Sequence, residues 1–456
     1  MVKRIAILGS TGSIGKNALR VIDALNSSLV APLDSFDSAQ DRSARGGRGS
    51  SLDKEQPRYE VVALSAHSRV ELLAEQVRKY KPRFAAITNA DFVEQFRELV
   101  SDLDVEVLAG PEGLAEIAQL EEVDIVLTAV VGAAGLPAVL AAAKAGKTLA
   151  IANKEPLVIA GELLTQTVKK SGGIILPVDS EHSAIFQAMQ AGKHDEVSKI
   201  ILTSSGGPFR KMSRETIENV TLEQALSHPV WDMGPKITVD SATMMNKALE
   251  VIEAHWLFDM PVDKIEILIH PESIVHSLVE FVDGSLIALL GRPDMCLPIQ
   301  YALTYPARVA GIAEHLQLER IGKLTFERPN LETFRALTLG FEVARTGGTA
   351  TVVFNAANEA AVEEFLAGRI KFVRIVELIE GCLNKHSVKR RVSLEELLEA
   401  DGWARREVIR SAQEHKMNDG RGMMEEGRWT RENRTKNAKH RMQKTESKNV
   451  KVKRRK

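Results

Sequence analysis

The chain has 456 residues, 44% hydrophobic and 27% charged, with a net charge of −1. That length accommodates two to four domains, and the near-average composition excludes wholesale disorder and collagen-like repeats. Two cysteines, Cys296 and Cys382, exclude a disulfide framework and a CxxC metal or redox pair, and no apolar run reaches the roughly 18 residues of a membrane span.

In chain order, Met1–Gly9 is too short and too soon broken by glycine for a signal peptide. It reads as a first strand, so a cytoplasmic, reducing setting is expected. Apolar runs follow at Tyr59–Leu64, Phe84–Ile87, Val105–Leu108, Val123–Val131, Thr148–Ala152 and Ile174–Val178. Amphipathic stretches such as Val70–Tyr80 and Leu136–Ala145 lie between them. Short apolar strands separated by helices predict a parallel sheet covered on both faces, a Rossmann-like, doubly wound α/β domain over residues 1–178. Residues 27–57, rich in Ser, Asp, Gly and Arg, interrupt the first helix-to-strand connection and read as a disordered insert.

Strand-like runs at Lys199–Thr203, Lys264–Ile269, Val275–Phe281 and Ser285–Leu290 predict a second α/β domain over 179–304 with antiparallel pairing. Asp283-Gly284 supplies a hairpin turn. A linker over 305–330 contains Pro306 and Pro329, and 331–412 reads as a helical domain in which Ser393 and Glu396 are spaced as a capping box. Residues 413–456 read as a basic disordered tail. From Lys416 onward, 15 Lys and Arg stand against five Asp and Glu, +10, which leaves −11 on the other 415 residues. An acidic body argues against nucleic acid as its substrate. The tail's charge would suit RNA or an anionic membrane surface, but Trp429 is its only aromatic apart from His440, which disfavours single-strand stacking.

Gly9-Ser10-Thr11-Gly12-Ser13-Ile14-Gly15 joins the first strand to a helix. Glycines there let backbone approach a pyrophosphate, and the helix start supplies N–H groups and positive potential. After the second strand, His67-Ser68-Arg69 holds no acid for a ribose hydroxyl. Ser68 and Arg69 can instead hold a 2′-phosphate, which favours NADP, although Arg69 can also be a solvated first-turn residue of the next helix.

Pro177-Val178-Asp179-Ser180-Glu181-His182 ends an apolar run. In an extended segment Asp179 and Glu181 point to the same side, at the strand end where ligands bind in open α/β sheets. Two hard oxygen ligands suit Mg²⁺ or Mn²⁺, with Co²⁺ a further candidate; helix capping by Asp179 or Ser180 is the competing reading. On a helix, Asn246 and Lys247 share a face with Glu250. An amide, an ammonium and a carboxylate there can serve a phosphate and a metal together, or form a solvated stripe.

The motifs LGSTGSIG, IANKE (Ile151–Glu155), PVDSEH (Pro177–His182), SSGGPF (Ser204–Phe209), HPVWDMG (His228–Gly234), VDSATMMNKALE (Val239–Glu250), IHPES (Ile269–Ser273) and NAANE (Asn355–Glu359) occur in this order. Together they resemble the 1-deoxy-D-xylulose 5-phosphate reductoisomerases of the non-mevalonate isoprenoid pathway, from Val2 to about Arg406. The resemblance implies homodimers that pair through the central domain. It implies isomerisation of 1-deoxy-D-xylulose 5-phosphate and reduction by NADPH to 2-C-methyl-D-erythritol 4-phosphate. It assigns Asp179, Glu181 and Glu250 to the divalent metal. It assigns Lys154, Ser180, Glu181, Ser205, His228, Ser241, Asn246, Lys247 and Glu250 to the phosphosugar, with Trp231 on a loop that closes over it. Thr11, Gly12, Ser13, Ile14, Asn153, Glu155 and Gly234 match NADPH contacts, joined by His67, Ser68 and Arg69. Lys154, Asp179, Glu181, His228 and Glu250 are thereby the expected catalytic set.

The sequence departs from the family's usual pattern at His67-Ser68-Arg69, at Ser204, where glycine is common, and at Cys296, where arginine is frequent. The insert and the tail have no usual counterpart. Two other readings stand beside the leading one: a non-catalytic body tethered by its tail, and a different NADP-dependent sugar or semialdehyde dehydrogenase.

Overall fold

The computed structural model describes residues 2–28, 57–231 and 233–414. Of the expected insert, Ser27 and Ser28 close the first helix, and 29–56 lie outside the described residues. Of the expected tail, 413–414 finish the last helix, and 415–456 lie outside.

Seven strands, β1 (Val2–Leu8), β2 (Arg58–Ala66), β3 (Phe84–Ile87), β4 (Glu106–Ala109), β5 (Ile125–Thr128), β6 (Thr148–Ile151) and β7 (Ile174–Pro177), form one parallel sheet in the order β4-β3-β2-β1-β5-β6-β7. The helices between them are α1 (Ser13–Ser28), α2 (Val70–Tyr80), α3 (Val93–Leu99), α4 (Gly110–Gln119), α5 (Leu136–Lys144) and α6 (Glu155–Ser171). Ile5–Leu8 are fully buried, as strands covered on both faces must be. Strand order reverses between β1 and β5, and this switch point opens a crevice at their C-terminal ends.

After α7 (Ser180–Ala188), the strands β8 (Val197–Ser204), β9 (Ile265–Ile269), β10 (Val275–Phe281) and β11 (Leu286–Leu290) form a second sheet in the order β11-β10-β8-β9. β10 runs antiparallel to β8 and β11, but β8 and β9 are parallel, so the antiparallel expectation is corrected to a mixed sheet. The reason lies in the connection. Between β8 and β9 the chain forms α8 (Arg214–Ile217), α9 (Leu222–Ala225), α10 (Pro235–Ala242) and α11 (Met245–Leu257), a crossover long enough to return in parallel.

α12 (Cys296–Thr304) returns to the first sheet, where Ile299 and Leu303 bury among Ile5 and Ile7. The short α13 (Leu318–Ile321) follows, then α14 (Arg335–Thr346), α15 (Thr349–Leu366), α16 (Arg374–Lys385) and a last helix over 394–414. The capping box forms there: Ser393 N–H donates to Glu396, and Glu396 N–H donates to the Ser393 hydroxyl. α14 lies against α11 so closely that a Cβ on Gly340 would meet Ala248 Cβ at 2.7 Å. Val352, Val353 and Phe354 of α15 are fully buried, each contributing roughly 1.5–3 kcal/mol. α15 packs on α6 and α10, so the C-terminal helices support the segments that carry the expected site residues.

Candidate active site

Asp179 follows β7 and is the N-cap of α7, its Oδ1 accepting the Glu181 N–H at 3.3 Å. Glu181 lies in that helix's first turn. The helix-capping reading therefore holds, and the strand alternation expected to pair these carboxylates is corrected: the cap turn pairs them. Glu250 arrives from α11 as the 3.6-residue period predicted. One oxygen each of Asp179, Glu181 and Glu250 lie within 4.8 Å of one another. This all-oxygen donor set fits a hard divalent cation. The Asn246 Oδ1 beside it is buried and has no hydrogen-bond partner among the described residues.

Two lysines neutralise the cluster from within. Lys154 Nζ is 2.7 Å from Asp179 and 3.5 Å from Glu250. Lys247 Nζ is 2.8 Å from Glu181 and 2.5 Å from Glu250. Asn246 donates to Glu250 at 2.6 Å, and the Ser180 hydroxyl donates to Glu181. Burial pushes the Glu250 carboxyl up to about 7; Lys247 opposes the shift, and the Glu181 and Asp179 charges add to it. Against the cost of burial, Lys154 and His182 hold the Asp179 carboxyl well below its usual range. Fully buried His182 carries no assignment from the sequence. Its Nε2 donates to the Glu250 carbonyl at 3.1 Å, and its Nδ1 lies 3.7 Å from Asp179 and 3.5 Å from Glu253. Burial works against its charge, but those two carboxylates push it up to about 9.

In the same cleft, His228 Nδ1 accepts the backbone N–H groups of Val230 and Trp231 at 3.2 and 2.9 Å. That assigns the proton to Nε2, which donates to the Ser205 hydroxyl at 3.0 Å. Gly207 holds a φ of 68° and packs on α10, where a Cβ would meet the Ser241 carbonyl oxygen at 2.5 Å. Ser204 fits the altered position by accepting the Gly206 N–H at 3.2 Å. Ser180, Ser205, Trp231, Ser241, Asn246 and Lys247 all line one cleft with Lys154, the three carboxylates and His228. Ser273 and Met244, both at positive φ, line it too, as does His276. Ser273 sat inside the quoted IHPES motif, but only its strained backbone marks it out.

Ser13, Ile14 and Gly234 reach the same cleft. Thr11, Gly12, His67, Ser68, Arg69, Asn153 and Glu155 do not line it. Gly9 has a φ of 87°, and a Cβ there would meet the Ala129 carbonyl oxygen at 2.6 Å. A Cβ on Gly15 would lie 2.5 Å from the Gly9 oxygen. This bare backbone cradle fits a dinucleotide's pyrophosphate. His67 Nδ1 lies 2.9 Å from the Thr88 hydroxyl, and Arg69, the N-cap of α2, donates to the Thr11 carbonyl at 3.2 Å. Asn153 accepts from Thr128 at 2.7 Å, while its buried Nδ2 has no hydrogen-bond partner among the described residues. Cys296 is fully buried, and burial with Asp294 nearby pushes its thiol up to about 11, which fits a small core residue.

Family models match the chain in three blocks. 1-Deoxy-D-xylulose 5-phosphate reductoisomerase matches residues 5–33 and 50–161, its C-terminal domain matches 175–258, and the DXP reductoisomerase C-terminal domain matches 290–407. The reductoisomerase of Symbiobacterium thermophilum is 48% identical over 409 residues, 89% of this chain and 97% of that protein. That of Pelodictyon phaeoclathratiforme is 47% identical over 405 residues, 89% of this chain and 98% of that protein. The solved reductoisomerase of Zymomonas mobilis in complex with NADPH is 39% identical, with a TM-score of 0.79, over 90% of this chain and 99% of that one. A second solved reductoisomerase, in complex with NADPH, fosmidomycin and magnesium, is 40% identical, with a TM-score of 0.80, over 91% of this chain and 99% of that one. With three profile blocks spanning most of its length and relatives alike from end to end, the chain belongs to the 1-deoxy-D-xylulose 5-phosphate reductoisomerase family.

Proposed function

We propose that this chain converts 1-deoxy-D-xylulose 5-phosphate to 2-C-methyl-D-erythritol 4-phosphate with NADPH and a divalent metal, in the one cleft described above. The observation that carries this reading is the shared lining: the glycine turn's Ser13 and Ile14 border the same cleft as Asp179, Glu181 and Glu250. These three carboxylates would hold the metal, and the dinucleotide would lie over the β1–β5 switch point. When bound, the metal supplies Lewis acidity to the ketone and an adjacent hydroxyl, and NADPH supplies the hydride.

The chain's own residues do the rest. Lys154, charged and buried, stabilises the developing enolate-like oxygen. Ser205, Ser241, Asn246 and Lys247 offer donors for the phosphate, whose binding energy orients the reacting end. His228, neutral with its proton on Nε2, offers a donor, and Trp231 shields the cleft from water. Arg69 and Ser68 lie where a 2′-phosphate would be met. The expected division at 1–178, 179–304, 305–330 and 331–412 remains our proposal for the domains. We also propose a homodimer paired through the second sheet, supported by the exposed apolar residues Leu286 and Ile287 on its edge strand β11 and Val282 in the turn before it. Sedimentation of the full chain tests it: a monomer at working concentration refutes the pairing. Among the described residues no helix is long and apolar enough to cross a membrane.

The experiment that tests the activity follows NADPH absorbance with the phosphosugar and Mg²⁺ or Mn²⁺, with and without chelator, beside Glu250→Gln. Metal-dependent oxidation, lost in the variant, is expected. Absent turnover with NADPH binding intact would refute the reading.

A further inference from the structure

Lys236 stands in an unusual place for a lysine. It occupies the first turn of α10, after Pro235, where the helix dipole disfavours a cation. Its ammonium is nonetheless held 2.8 Å from Asp240 and 3.3 Å from Glu155, with the side chain only 21% exposed. Glu155 is itself buried at the start of α6, beside Lys154. Asp240 uses its other oxygen to accept from Asn358 of α15 at 2.9 Å. One residue along α15, Glu359 pairs with Arg405 of the last helix at 2.6 Å and accepts from Asn355 at 2.9 Å. The same carboxylate lies against Gly132 on the loop after β5, 3.2 Å from where a Cβ would stand.

Asn358, Asp240, Lys236 and Glu155 form one chain of polar contacts from α15 through α10 to the start of α6, and a second group, Arg405, Glu359 and Asn355, adjoins it on α15. α10 also carries Ser241 and Ile237 into the cleft, and its start anchors the loop that carries His228 and Trp231. The NAANE motif, to which the sequence reading gives no task, supplies three of these residues: Asn355, Asn358 and Glu359.

We propose that Lys236 is a positioning residue that couples the phosphosugar wall of the cleft to the dinucleotide crevice through Glu155, braced from below by Asp240 and Asn358. The proposal rests on the reading of the two ligand sites above. Because binding coupling is reciprocal, a dinucleotide held at Glu155 tightens the grip of the α10 wall on a phosphate, and a phosphate tightens the grip on the dinucleotide. A lysine that served stability alone would leave each ligand's affinity independent of the other.

The test uses the full chain and two probes, NADPH and inorganic phosphate. Phosphate affinity is measured with and without saturating NADPH in the parent, in Lys236→Gln and in Lys236→Arg. The parent is expected to show a coupling of about fivefold or more, within the common range. Lys236→Gln should bring that factor close to one, with Lys236→Arg recovering part of it. In turnover, the KM values for NADPH and the phosphosugar should rise in Lys236→Gln while kcat changes little. If Lys236→Gln does not fold, Asn358→Ser probes the same chain of contacts from α15 and should reduce the factor by a smaller amount. A factor of one in the parent, or an unchanged factor in the folded variants, overturns the proposal. Absent turnover in a parent that still shows the coupling would refute the assigned reaction and leave the role of Lys236 standing.

Discussion

At the carboxylate cluster the chain works with side-chain charge. Asp179, Glu181 and Glu250 are buried or nearly so and are neutralised by Lys154 and Lys247 within 2.5–3.5 Å. At the dinucleotide turn it works with bare backbone: Gly9 and Gly15 leave room that any side chain would fill. The first site is tuned by ionisable groups whose positions depend on three separate segments. The second depends on one local turn and on the neighbouring β5 loop. Substitutions should therefore fail differently at the two places, through chemistry at the cluster and through sterics at the turn.

Glu250→Gln keeps the shape of the cluster and removes one charge. Metal-dependent turnover should fall by on the order of 10³-fold, several kcal/mol of transition-state stabilisation, while NADPH binding measured by fluorescence stays near the parent value. Unchanged turnover would break the distinction between the two sites. Gly15→Val should do the converse: with a Cβ contact at 2.5 Å, it should weaken NADPH binding by about 30-fold or more and lower the melting temperature. A binding titration for the metal should be unmoved in that variant. His228→Ala removes the donor to Ser205 and the acceptor for two loop N–H groups; the phosphosugar KM should rise by roughly tenfold, with a smaller change in kcat. Arg69→Ser should reduce the preference for NADPH over NADH by about tenfold, read as the ratio of kcat/KM values, and leave NADH use intact.

Glu250 was legible in the sequence because helical spacing sets it beside Asn246 and Lys247 whatever the tertiary fold does. The first sheet was legible because its strands are short continuous apolar runs between amphipathic helices. Asp179 and Glu181 do come together, but by another geometry than the strand alternation expected, because β7 ends at Pro177 and the pair sits on a helix cap. The parallel β8–β9 pairing was hidden because it depends on a crossover through α8 to α11, which local patterns do not encode. His182, Lys236 and Asn358 were invisible for a related reason. Lys236 and His182 each have one partner within a helical turn, Asp240 and Asp179, but Glu155, Glu250 and Glu253, like Asp240 for Asn358, lie dozens to more than a hundred positions away, and a buried polar side chain looks in sequence like any other.

The loop around His228 has one more consequence. Its backbone lends two N–H groups to Nδ1, so the ring can pick up a proton only by giving those hydrogen bonds away. Burial accordingly lowers its affinity for a proton below the ordinary value of 6.5. The released loop binds that proton more readily than the anchored one, so anchoring is fully supported above about pH 6.5 and weakens as the pH falls below it. The imidazole is thus a latch that acid unfastens, and proteolysis of this loop should quicken on mild acidification while the buried helices stay resistant.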